Sequence, residues 1–241
     1  MTSSENVPAR ALAIAAHPDD VEFQCGATLA RWAASGCEVH HLLCTDGSKG
    51  TWDPDADLEA LVATRREEQR AAARALGATG EVAFLDVVDG ELAATREMTS
   101  EIAAWIRRVR PDVVLGHDPW KRYRLHPDHR AAGFLTVDAV VAARDPHFFP
   151  DHGLAHHRPD ELWLFEADEP DHHEDVTGFG PTKVAALECH RSQFVTTMGI
   201  DPDDDGTQAE AFSRRILDEL AEAGAEVGLT HAERFKRIGP L

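Results

Sequence analysis

Apolar and polar positions alternate along the chain in two rhythms. Short, nearly continuous apolar runs recur as ALAIAA (11–16), EVHHLLCT (38–45), EVAFLDV (81–87), DVVLGH (112–117) and ELWLFEA (161–167). Their length and composition suit strands covered on both faces. Between them lie segments with helical spacing. Residues 21–36 end at Gly36, and the Ala-, Arg- and Glu-rich residues 58–76 end at Gly77. Residues 99–110 read as a helix capped by Thr99 or Ser100 and stopped before Pro111. Residues 126–144 form another helix, and two more are expected near 181–192 and 207–223.

Strand and helix in succession predict an α/β architecture: a Rossmann-like, doubly wound, mostly parallel sheet of about five strands flanked by helices. The strand order expected is 3-2-1-4-5. The 241 residues suit one domain, and 1–241 is read as a single unit.

Composition narrows the function. The formal net charge of −19 repels polyanions, so no nucleic-acid partner is expected. No apolar run reaches the length of a membrane span, and MTSSENVPAR lacks the basic and apolar segments of a signal peptide. A cytoplasmic protein without a membrane partner is the expectation. Cys25, Cys37, Cys44 and Cys189 form no C-x-x-C pair and read as small core residues in a reducing compartment. A homo-oligomer is compatible with the sequence, which does not specify the oligomeric state. The acidic run DPDDDG (201–206) holds only part of a calcium loop and reads as solvated.

The first strand ends in HPDD, residues 17–20. His17 and Asp20, three apart at a helix start, fall on one side, and both are donor types for zinc and similar ions. Asp19 must then point elsewhere, as a proton carrier would. An Asp cap on the following helix accounts for the same residues. After the fourth strand, which ends on His117, HPDH repeats the pattern with His126, Asp128 and His129. Asp128 can orient a ring through its second nitrogen. Alone, this motif reads equally as a cap. Together the motifs follow strands one and four, neighbours at the switch point where such sheets bind ligands. Two histidines and a carboxylate leave positions open for water and substrate, although the same set also suits mononuclear iron.

At these residues the chain resembles the LmbE-like, or PIG-L, deacetylases. AHPDDVE (16–22) and HPDHR (126–130) correspond to the two signatures of that family. RREEQRAAARALG (65–77) resembles its arginine helix and KVAALECHRSQ (183–193) its late helix. The resemblance implies a zinc-dependent N-deacetylase with one Zn2+ per chain, another divalent metal being an alternative. It further implies hydrolysis of an N-acyl group, above all N-acetyl, on a small-molecule amino sugar or conjugate. By the same resemblance His17, Asp20 and His129 are the metal ligands, Asp19 the general base, and His126 a catalytic group near the carbonyl. Arg65, His190 and Asp128 are placed around the substrate, with Arg66 the adjacent alternative to Arg65. Thr45 and Gly47 match a loop near the sugar. The segment Trp120–Arg124 is basic and aromatic and suits either sugar stacking or a rim loop. Competing readings are an amidase acting on a thiol-sugar conjugate or natural-product amide, and a non-catalytic Rossmann-like binder. Against the binder, neither G-x-G-x-x-G nor a P-loop occurs.

Overall fold

The computed structural model describes residues 7–241. The five expected strands form as β1 (Arg10–Ala15), β2 (Glu38–Thr45), β3 (Val82–Val87), β4 (Val113–His117) and β5 (Glu161–Phe165). All pair in parallel in the order β3-β2-β1-β4-β5. The helices are α1 (Asp20–Ala34), α2 (Leu58–Ala75), α3 (Arg96–Val109), α4 (Pro127–Arg144), α5 (Gly180–Leu187) and α6 (Thr207–Ala225). Two further strands, β6 (His172–Asp175) and β7 (Ala232–Ile238), extend the sheet antiparallel beyond β5 in the order β5-β7-β6. Among the described residues the sheet therefore has seven strands, two beyond the five expected. It remains mostly parallel.

Why these segments pack as they do follows from strand alternation. On β1, Leu12 and Ile14 face α3 and α4 in a core with Ile102, Ile106, Leu135 and Ala139. Ala11, Ala13 and Ala15 face the other way, towards Leu29, Trp32, Ala72 and Leu76 of α1 and α2. The small alanines allow these helices to approach the sheet closely. A third cluster joins α5 to α6 through Val184, Leu187, Phe212 and Ile216.

Two local differences from the expected elements have clear causes. The α3 helix begins at Arg96, earlier than expected, because the Thr95 side chain accepts from Met98 N–H and supplies the cap. The α1 helix is broken at Cys25, whose φ is −142°. Its second segment restarts against β7. The Glu233 carboxylate accepts from Ala27 N–H at 3.1 Å and Thr28 N–H at 2.8 Å. Lys183 meets the same carboxylate at 2.7 Å and also donates to Phe23 O. Thus β7, at the far end of the sequence, shapes the helix that begins in HPDD.

Candidate active site

The crossovers place the ends of β1 and β4 side by side, and both histidine motifs leave the sheet there. After β1 the chain turns through His17 and Pro18 into α1. Asp20 opens that helix, and its carboxylate accepts from His17 N–H at 2.8 Å. After β4, His126 is the cap of α4: its Nδ1 accepts from Asp128 N–H, and Pro127 occupies the first turn. The His129 ring then lies one turn along, facing β1.

Three donor groups converge. His17 Nδ1 lies 3.2 Å from His129 Nε2 and 3.3 Å from Asp20 Oδ2. His129 Nε2 lies 3.3 Å from Asp20 Oδ1. Donors held about 2.0–2.1 Å from a tetrahedral ion stand roughly 3.3–3.4 Å apart, so these spacings fit one small cation. His17, His126 and His129 also form a triad that could hold an ion, as do Asp20, His117 and His129.

The second nitrogen of His17 supports the same arrangement. His17 Nε2 lies 3.2 Å from both Asp128 Oδ2 and Asp89 Oδ1, which fixes the ring proton there and leaves the Nδ1 lone pair facing inward. Burial alone would lower the pKa of His17, but hydrogen bonds to Asp128, Asp20 and Asp89 push it up to about 12. Three carboxylates around one imidazole thus favour positive charge at this position, either a second ring proton or a cation held at Nδ1 in its place. His129 behaves in the opposite sense: burial drives its pKa down to about 3, against the pull of Asp20, and leaves it neutral.

Asp19 points away from this cluster. Its backbone is left-handed, with φ 99° and ψ −28°, and this turns its carboxylate towards Arg65 while Asp20 faces the histidines. Arg65 donates to Asp19 Oδ2 at 3.3 Å, Pro18 O at 2.5 Å and Gly47 O at 2.8 Å. Gly47 has φ 68°, and a Cβ there would stand 2.7 Å from the guanidinium, so both its torsion and its bareness are used. Burial raises the Asp19 pKa to about 6, with Arg65 restraining the rise. Arg66 turns outward and pairs with Asp86.

A cavity of about 530 Å3 opens over this group. His17, Asp19, Asp20, Arg65, His126 and His129 line it, together with Lys49, Arg124, Glu166 and Gln193. Asp128 and His190 do not. Both are fully buried behind the wall, which differs from the substrate contact expected for them. Asp128 is occupied by His17 and by the Gly90 and Leu92 N–H groups. Burial alone would lower the pKa of His190, but its pairing with Glu22, 3.2 Å away, raises it. Thr45 spends its hydroxyl on Ala16 O.

Several residues of the site carried no assignment from sequence. Asp89 reaches it from the loop after β3. His117 accepts from Ala16 N–H at 3.2 Å and lies 3.1 Å from Glu166, which pairs with Arg124. Glu22 and Gln69 lie beneath Asp19. The available signals were slight: His117 ends a strand, and Gln69 follows Arg65 by four, on the same helix face.

Comparison with known proteins identifies the family. The family model described as PIG-L, GlcNAc-PI de-N-acetylase, matches residues 12–140. Diacetylchitobiose deacetylase of Thermococcus kodakarensis is 38% identical over 188 residues, covering 77% of this chain and 70% of the relative. The chain belongs to the PIG-L family. The chain is also similar to 4-oxalmesaconate hydratase of Pseudomonas putida, at 30% identity, covering 95% of this chain and 87% of the relative. Among solved structures, N,N'-diacetylchitobiose deacetylase from Pyrococcus horikoshii superposes with a TM-score of 0.84 at 31% identity, covering 97% of this chain and 85% of that one.

Proposed function

We propose that this PIG-L protein is a divalent-metal-dependent hydrolase that removes an N-acetyl group from an amino sugar or sugar conjugate, releasing acetate and a free amine. The observation that carries the reading is the 3.2–3.3 Å convergence of His17, Asp20 and His129 beside a partly shielded Asp19. His17 Nδ1, Asp20 and His129 Nε2 would hold the metal, and two nitrogens with one carboxylate suit Zn2+. The relatives named for N-acetyl sugar deacetylation support the substrate class.

When bound, such an ion polarises an amide carbonyl and lowers the pKa of water. The remaining work falls to the chain. Asp19 takes the proton of the attacking water, and a carboxyl with pKa near 6 is both ionised at neutral pH and basic enough to do so. Arg65 holds that carboxylate in place. His126 Nδ1 accepts from Asp128 N–H, so the neutral ring carries its proton on Nε2. Exposed to the cavity, that N–H donates to the oxyanion as it forms. Asp19, now protonated, returns the proton to the departing amine.

Residues 1–241 act as one cytoplasmic domain in this reading. The single domain is supported by β7, which completes the sheet begun by β1. The test is an amine-release screen of zinc-loaded protein against N-acetylglucosamine, diacetylchitobiose, acetylated glucosaminyl-inositol, thiol-sugar conjugates and acylated antibiotics, with acetate quantified. Equal amine and acetate are expected. Absence of amine release across the panel, with hydration of an unsaturated polycarboxylate instead, would replace hydrolysis by the hydratase reading that the Pseudomonas relative favours.

A further inference from the structure

We infer that Gln69 is a positioning residue that holds Asp19 in the left-handed conformation and so lets two adjacent aspartates face different groups. The inference rests on the proposed role of Asp19 as base. Gln69 is fully buried and does not line the cavity, so it touches neither substrate nor any cluster atom there. Its contacts are all with the scaffold beneath Asp19.

The geometry is specific. Asp19 occupies φ 99°, a region that side chains with a Cβ rarely adopt. Within α1 only the Asp19 carbonyl is used, accepting from Phe23 N–H at 3.1 Å; Asp19 stands at the helix cap position, yet its side chain makes no capping hydrogen bond. The restraint comes from α2. Gln69 Oε1 accepts from Asp19 N–H at 2.9 Å, and Arg65, one turn earlier, takes Pro18 O and Asp19 Oδ2. One helix face thus grips the strained residue at its amide, its carboxylate and the preceding carbonyl.

The orientation of the Gln69 amide is forced. A backbone N–H can only donate, so the oxygen must face Asp19. The nitrogen then donates to Glu22 Oε1 at 2.8 Å and meets His41 Nδ1 at 3.3 Å. Glu22 is held from its other oxygen by His190 at 3.2 Å. The grip is itself anchored, because Glu68 on α2 accepts from Ser192 N–H at 2.8 Å and Ser192 Oγ at 2.6 Å. His190 and Ser192 therefore act on Asp19 through Glu22, Gln69 and α2 rather than by reaching the substrate.

The substitution Gln69→Met keeps the length of the side chain and removes the acceptor for Asp19 N–H. The expected result has two parts. Amide deuterium exchange over residues 17–21, measured on zinc-loaded protein without substrate, becomes faster than in wild type. The kcat for amide hydrolysis falls about 10- to 100-fold, the scale of a misplacement near 1 Å, while KM and zinc content stay within twofold. In an Asp19→Asn background the same substitution lowers kcat no further, because the group it positions has already been disabled. A general structural role would instead lower kcat in both backgrounds and reduce zinc content. Should Gln69→Met not fold, Gln69→Asn withdraws the amide by one methylene while leaving a polar group in the slot, and carries the same expectations. Unchanged exchange, or additive losses in the double variant, would overturn the inference. Because exchange needs no turnover, it decides the role of Gln69 even if the wild-type protein cleaves no amide.

Discussion

Replacing Glu233 on β7 should cost the protein a large part of its stability. The Glu233 carboxylate is almost completely buried and meets three donors: Ala27 N–H, Thr28 N–H and the Lys183 ammonium. Glu233→Ala removes all three acceptor contacts. It leaves a buried cation whose remaining bond is to Phe23 O, and two helix amides facing a cavity. Breaking a buried ion pair by deleting one partner costs about 3–5 kcal/mol. Each stranded amide would add about 1–3 kcal/mol if nothing relaxed. Relaxation and water entry reduce the sum, so the expected loss is about 3–5 kcal/mol, a large part of the roughly 5–15 kcal/mol typical of a domain. Glu233→Gln keeps one oxygen and should lose less. The double variant Lys183→Met/Glu233→Gln should lose less than its two single changes together, because no cation is left stranded. Urea unfolding followed by circular dichroism measures each value, with the slope checked for constancy. A second expectation separates stability from function. His17 and Asp20 lie before the break at Cys25, so folded Glu233→Gln protein should bind zinc as wild type does. A loss below about 1 kcal/mol for Glu233→Ala would mean that this carboxylate does not anchor α1 to β7.

Three other outcomes are expected. Asp19→Asn should retain about one zinc per chain, by elemental analysis, and lose about 10²- to 10⁴-fold in kcat; a metal-free Asp19→Asn would mean that Asp19 rather than Asp20 is the ligand. Arg65→Met removes bonds to Pro18 O, Gly47 O and Asp19 and should lower kcat/KM at unchanged zinc content, whereas Arg66→Met, at an outward pair with Asp86, should match wild type in the same assay. His40 is held below its ordinary pKa by burial, and its Nδ1 accepts from Glu81 N–H. Its contribution is therefore fully present above about pH 6.5 and is lost as pH falls, when the unfolded chain takes up the proton that the native ring resists, by at most about 1.4 kcal/mol per pH unit. His40→Gln should flatten the urea-measured stability slope between pH 6.5 and 5, and an unchanged slope would count against this assignment.

Which parts of this molecule can be read from its sequence depends on the range of the interactions that specify them. The strands β1 to β5 announce themselves because both faces are covered, and short apolar runs bounded by turn residues suit few roles besides a buried strand. β6 is HHED, a short polar edge strand with no alternation to detect. β7 is AERFKRI, whose apolar residues at 232, 235 and 238 recur every three positions and imitate a helix. Its actual pattern is set by a buried Glu233 that makes sense only once α1 and Lys183 are beside it. The site divides in the same way. His17, Asp19, Asp20, His126 and His129 stand in two compact motifs, one at the end of β1 and one at the start of α4 after β4, where local spacing and fold order suffice to bring them together. Asp89 and Glu166 lie in unremarkable surroundings, while Glu22 and Gln69 stand inside the resembled stretches, and all four acquire a role only through partners tens of residues away. The expectation that His190 reaches the substrate misjudged depth: its position on the late segment is adjacent to the site, but Glu22 occupies the space between.

A cluster of this kind does not by itself choose between hydrolysing an amide and hydrating an unsaturated acid, and the chain is similar to relatives named for each. Both reactions add a water oxygen to a trigonal carbon and need a base for its proton. They part at the next step. Hydrolysis returns that proton to a departing nitrogen, whereas hydration delivers one to a neighbouring carbon. The base can serve both, so the choice falls to the groups that set how the substrate lies over it. In this chain those are the cavity walls. Lys49 approaches from the loop after β2, Phe23 from α1, and Gln193 and Thr197 from the segment after α5. Arg124 stands at the base of the loop carrying Trp120 and Tyr123, which are 61% and 87% exposed. That loop is tied on both sides of Tyr123, through Arg124 and Lys121 to Glu166 behind His117 and His129, and through Lys121 and the Arg122 N–H to Asp168. Trp120 packs edge-on against Phe134 of α4 and, with Arg122 and Asp168, lines a neighbouring hollow rather than this cavity. A substrate whose reacting carbon lies over Asp19 therefore meets walls of mixed charge, with Lys49, Arg124 and Gln193 beside Asp89 and Glu166. Sugar hydroxyls can donate to the carboxylates and accept from the cations, whereas each carboxylate of a small polyacid would face the like charge of Asp89 and Glu166.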